Sequence, residues 1–156
     1  MPCLRRSAVF FGIGFCIIAL PVGSQEPQPK SKPKLEPIAE TKLLMEGMAH
    51  PNFRGVERIL SEKPAEEKSW TFARGQALLI AETANLLMLR PPKNQGQATW
   101  FERAMELRAQ ATQLAQTVAR KDLDRSRAAL QSVATSCNRC HQSFRIPVQI
   151  AAFEEK

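Results

Sequence analysis

WFERAMELRAQATQLAQTV, residues 100–118, decides the fold. Trp100, Ala104, Leu107, Ala111, Leu114 and Val118 recur at intervals of four and three without a break, which is the spacing of one face of a helix turned toward a bundle. Working outward, the polar loop 93–96 leads into this helix, and Pro91-Pro92 stops the one before it. That earlier helix is predicted to start near Pro64, with Glu66 and Glu67 in a first turn that suits acids. Its stripe is Trp70, Ala73, Ala77, Ile80, Ala84 and Leu87. Downstream, Asp122 is a fair N-cap for a last helix carrying Leu123, Leu130, Val133, Cys137, Cys140 and Phe144 on one side, ended by Pro147. Upstream, helical pattern runs over residues 38–49 with Leu44, Met45, Met48 and Ala49. Pro51 disfavours helix at His50, so a break is expected at His50-Pro51-Asn52 before a short helical turn over 53–60.

No strand-length alternation and no hairpin turn signal compete with these four patterns. Four helices joined by short loops give an all-α, antiparallel up-down-up-down four-helix bundle. The second helix is apolar nearly all round, with Leu78, Leu79, Leu86, Met88 and Leu89 besides its main stripe. That extra surface reads either as a homodimer contact or as a face the bundle closes over.

The chain of 156 residues opens with Arg5 and Arg6, the apolar run 8–22, and Gly23-Ser24. This is the pattern of a secretory signal, and fifteen apolar residues fall short of the ~20 that span a bilayer. Residues 1–24 are expected to be cleaved, leaving no transmembrane anchor. Residues 25–37 form a proline-rich, polar linker, and 38–156 the bundle domain. Cys3 and Cys16 leave with the leader, so the mature chain keeps Cys137 and Cys140 alone. The formal charge of +7 loses two arginines and no acid, leaving a basic chain. Such a surface suits nucleic acid, anionic lipid or an acidic protein, and export removes nucleic acid from that set.

The last helix carries Cys137-Asn138-Arg139-Cys140-His141. C-x-x-C-H is the attachment signature of a c-type haem: two cysteine sulfurs form thioethers and the histidine ligates the iron. Residues three and four apart share a helix face, so all three side chains reach one porphyrin from one side. A redox dithiol would want a βαβ context, and a zinc site four ligands at defined spacing; the sequence offers neither. One covalently bound haem c is therefore expected, and its attachment requires the export that the leader provides.

With C-x-x-C-H near the C-terminus, on the last of four helices and followed by Gln142-Ser143-Phe144-Arg145, the chain resembles the class II c-type cytochromes, cytochrome c prime and its low-spin, methionine-ligated relatives. The similarity spans residues 38–145. The resemblance implies Cys137 and Cys140 as thioether residues, His141 as proximal iron ligand, and a distal ligand from the first helix. Thr41-Lys42-Leu43-Leu44-Met45-Glu46 looks like the segment that supplies it, which makes Met45 the candidate. Depth agrees: counted from Pro37 and Pro147, Met45 and His141 both lie roughly 10 Å from one end of the bundle. Met48 is one turn deeper, and plain core packing of Met45 is the rival reading. Arg139 and Arg145 are candidates for the haem propionates or a docking surface.

Two functions follow from the two readings of Met45. With it on the iron, the protein is a periplasmic electron carrier that meets redox partner proteins at the haem edge. With it merely packed, a five-coordinate protein binding nitric oxide or carbon monoxide results. A catalytic role is disfavoured, because the mature chain holds only His50 and His141 and no tyrosine for proton work.

Overall fold

A computed structural model describes residues 34–153. The leader 1–24 and most of the linker, 25–33, lie outside the described residues. Within them, every regular element is helical. In chain order these are α1 (Thr41–Leu44), a π-helical turn (Met45–Ala49), α2 (His50–Ser61), α3 (Glu67–Met88), α4 (Gln97–Ala119) and α5 (Leu123–Ser143). α1, the π turn and α2 run on without a gap as the first helix of the bundle. α2 packs on α3, α3 on α4, α4 on α5, and α5 back on α2, which closes the four-helix ring.

The seams read from periodicity are the core. On α3, Trp70, Ala73, Ala77, Ile80, Ala84 and Leu87 are all buried, and on α4 so are Ala104, Leu107, Ala111, Leu114 and Val118. Trp100 is half-buried, its ring packed on the core while the indole Nε1 donates to Leu87 O at 2.7 Å. Leu87 O also accepts from Arg90 N at 2.8 Å, and Leu86 O accepts from Leu89 N at 3.3 Å and from Arg90 Nη1 at 2.6 Å, so the last carbonyls of α3 are closed from both backbone and side chain. The Nε of Arg90 donates to Ala39 O at 3.0 Å, which pins the entrance of the first helix to the same end of the bundle.

Four boundaries differ from expectation. The first helix starts at Thr41, three residues after Ile38, which is almost fully exposed. α3 begins at Glu67 rather than Pro64, because Lys63 is left-handed (φ 55°) and Glu66 extended. α5 ends at Ser143, before Pro147. There Arg145 turns left-handed (φ 57°), its N–H donates to Gln142 O at 3.2 Å, and that of Ile146 to His141 O at 2.8 Å. This is a Schellman closure with arginine where glycine is usual.

The fourth correction bears most on the site: no break occurs at His50-Pro51. His50 keeps helical angles and its N–H bonds Met45 O, five residues back, while Pro51 sits in the first turn of α2. The helix widens just before the proline instead of stopping, giving the pyrrolidine ring room. The widening also aligns the core residues. In a regular helix at ~100° per residue, Leu44 would point roughly 120–180° away from Phe53, Val56 and Leu60. A π turn absorbs one extra residue and brings Leu44 to within roughly 20–80° of them. All four side chains are indeed buried.

Candidate haem site

α5 is held at its start by Asp122, whose Oδ1 accepts from Arg125 N at 3.0 Å, and anchored along its length by fully buried Leu130 and Val133. That register sets Cys137 against the core and brings Cys140 and His141 out, each half-exposed, near the helix end. Both thiols are free. Burial, and then the neighbouring Cys140, push the Cys137 thiol up to about 12. Burial also raises Cys140, opposed by the Arg103 guanidinium. Neutral, half-buried thiols are poor attacking thiolates, which weakens the dithiol reading. Among the described residues no group of three or more His, Cys, Asp or Glu could hold a metal ion, so no zinc set forms around the pair.

His141 is fixed by a partner that the spacing of the motif does not reveal. Its Nδ1 lies 2.8 Å from Val148 O. A carbonyl only accepts, so Nδ1 carries the proton and Nε2 keeps its lone pair for a metal. Phe144, one turn on from Cys140, meets Trp100 edge-to-face with ring centroids 5.2 Å apart. Phe144 also limits Gly96, the left-handed residue (φ 79°) before α4, where a Cβ would come 3.3 Å from the Phe144 ring.

On the flank facing α4, Glu106 binds two guanidinium groups, Arg103 at 2.9 Å and Arg139 at 2.6 Å. Arg139, read from sequence as a propionate or docking residue, is therefore committed to Glu106. Arg145 closes the helix at an exposed position. Of the candidate ligands on the first helix, Met45 and Met48 are half-buried and packed on the core, both inside the π turn, and His50 is exposed beside Arg54. A cleft of about 510 Å³ lined by Arg58, Ile59, Glu62, Lys68, Ser69 and Phe72 opens at the other end of the bundle and plays no part in this site.

The chain was compared with known proteins. Residues 94–145 match the family model of Cytochrome C'. The match covers α4, α5 and the Cys-x-x-Cys-His motif, 52 of the 156 residues, and bears out the likeness to class II c-type cytochromes. No curated protein and no solved structure matches the chain. Covalently bound haem c is the cofactor of the Cytochrome C' family, and the side chains here fit it. Two unoxidised thiols a turn apart would take the thioether bonds, and a histidine whose Nδ1 is already engaged would offer Nε2 to the iron.

Proposed function

We propose that the protein is an exported, periplasmic c-type cytochrome that carries single electrons between redox partner proteins, with His141 and Met45 as axial ligands. Haem c supplies the one-electron ferric/ferrous couple. The observation that carries the reading is the placement of Met45. It opens the π turn, half-buried, at the end of the bundle where the Arg90 bond to Ala39 and the Trp100–Phe144 contact gather the helix ends. His141 lies two residues before the end of α5 and Met45 four after the start of α1, so the two stand at matching depth. The π turn leans on α3, whereas contact with α5 is made lower down, by α2. This arrangement suits a flat group between the π turn and α5. π turns recur at functional sites because they re-aim a side chain without ending the helix.

A thioether on the iron favours the ferrous state and fills the position that small gases would take. Export fits the leader, and no helix among the described residues is long and apolar enough to cross a membrane. The protein performs no catalysis in this reading.

The experiment is an optical and gas-binding study of the haem-loaded protein beside Met45→Ala and Met48→Ala. The unmodified protein should be low-spin in both oxidation states and take up carbon monoxide slowly. Met45→Ala should turn high-spin, bind carbon monoxide or nitric oxide readily, and lower its reduction potential. A parent protein already high-spin and quick to bind gas would replace electron transfer with gas binding. If only Met48→Ala opens the site, the ligand is one turn deeper.

A further inference from the structure

Beyond α5 the chain does not trail away. Residues 146–153 turn back and run down the groove between α5 and α2, in the direction opposite to α5, tied at successive points. Val148 O meets His141 Nδ1 at 2.8 Å. Two residues on, the Asn138 side chain brackets Ile150: its Nδ2 donates to Ile150 O at 2.7 Å, and its Oδ1 accepts from Ile150 N at 2.8 Å. Arg54 Nη1 donates to Ala151 O at 3.1 Å. Phe153 N donates to Glu57 Oε1 at 2.6 Å, and the other oxygen of Glu57 holds Arg54. The Phe153 ring lies 5.8 Å from the Arg127 guanidinium, and Ile150, Ala152 and Phe153 pack on the core.

Asn138 is the first free position of the Cys-x-x-Cys-His motif, and attachment chemistry asks nothing of it. Here a primary amide is the one side chain that both donates to and accepts from a single residue's backbone, as a neighbouring strand would. Its two bonds hold Ile150, and through Pro147-Val148-Gln149-Ile150 they hold the carbonyl that faces His141.

We propose that residues 146–153 are a strap that sets the electron donation of His141, with Asn138 as its positioning residue. This inference rests on haem attachment at the motif. A carbonyl accepting from Nδ1–H makes the ring a stronger donor at Nε2 and fixes its orientation. Stronger donation stabilises ferric iron and lowers the reduction potential. The strap also covers this flank, and covering alone has the opposite sign: removing a cover admits water, which favours the more highly charged ferric state. The direction of the change thus separates positioning from shielding.

The test compares the haem-loaded full chain, Asn138→Leu, and a chain stopped after Pro147. Mass is measured first, then helix content by circular dichroism, then reduction potential by spectroelectrochemistry. All three should carry one haem and remain helical. The truncated chain should show a raised potential, and Asn138→Leu a smaller shift in the same direction. A potential that is unchanged or lowered in both variants overturns the proposal and leaves the strap a cover. If truncation prevents folding, Asn138→Leu alone decides, since it keeps the side-chain bulk and every backbone atom. A parent chain without haem mass would overturn the proposed function itself, an outcome distinct from an unmoved potential.

Discussion

Replacing glycine by alanine at two positions should change stability with opposite signs. Gly75 lies in the middle of α3, exposed, and a Cβ built there meets nothing within 4 Å. Alanine removes the conformational freedom that glycine loses on folding, so Gly75→Ala should stabilise by about 0.5–1 kcal/mol. Gly96 sits at φ 79° before α4, and its Cβ would approach Phe144 Cε1 to 3.3 Å. An L-residue in the left-handed region costs roughly 1–2 kcal/mol. The Phe144 ring has little freedom to yield, being stacked edge-to-face on Trp100. The two variants should thus differ by about 1.5–3 kcal/mol, and at roughly 3–6 °C per kcal/mol for a domain of this size their melting temperatures should separate by ~5–18 °C. Thermal unfolding of the haem-loaded proteins, followed by far-ultraviolet circular dichroism, reads the difference. Shifts of the same sign, or a neutral Gly96→Ala, would refute the placement of Gly96 against the end of α5.

Leu130→Ala removes a side chain with no exposure from the centre of α5 and should cost about 2–5 kcal/mol in chemical denaturation; a change under ~1 kcal/mol would mean the seam is not closed. In chain made without haem, the neutral Cys137 thiol is favoured by the fold, since its value is pushed from 9.0 up to about 12. That stabilisation is complete below pH 9.0 and disappears as pH rises toward about 12, so the haem-free chain should lose more stability there than haem-free Cys137→Ala. Equal alkaline losses in the two would argue against burial of this sulfur. Mass spectrometry of the exported protein should find a chain beginning near Gln25 and one haem heavier, and free thiols on a mature chain would contradict attachment.

The sequence was legible where one physical demand dominated. α3 and α4 bury small and aliphatic residues at strict three-four spacing, and their seams could be read residue by residue. Asp122 announced α5, and its side chain caps it. The first helix misled because two local rules met. Pro51 does disfavour a helix, but Leu44, Phe53, Val56 and Leu60 gain more by all facing the core, and a wider turn satisfies both. The end of α5 misled because Pro147 is a visible stop, while a left-handed arginine is not. In the site, the spacing of Cys137, Cys140 and His141 is what pointed to haem attachment. What the pattern could not disclose was Val148 behind His141. A backbone carbonyl belongs to every residue, so no side-chain code marks the one that is used. Asn138 was the available signal, an amide where any residue would serve attachment, and its meaning emerges only beside Ile150.

The π turn makes the first helix respond unequally to the loss and the gain of a residue. Glu46 and Gly47 point outward, and exchange there should be mild. Deleting either would leave a continuous, well-bonded α-helix, with one residue fewer and no widened turn. Because the widened turn already holds one extra residue, its loss keeps Leu44 within roughly 20–80° of Phe53, Val56 and Leu60, and the cost falls on Pro51, whose ring loses the room the turn gave it. An insertion in the same turn would instead rotate everything before it by about 100° against everything after it, taking Leu44 out of the core and swinging Met45 with it. Single-residue insertions in these five positions should therefore be far rarer among functional descendants of this chain than single-residue deletions.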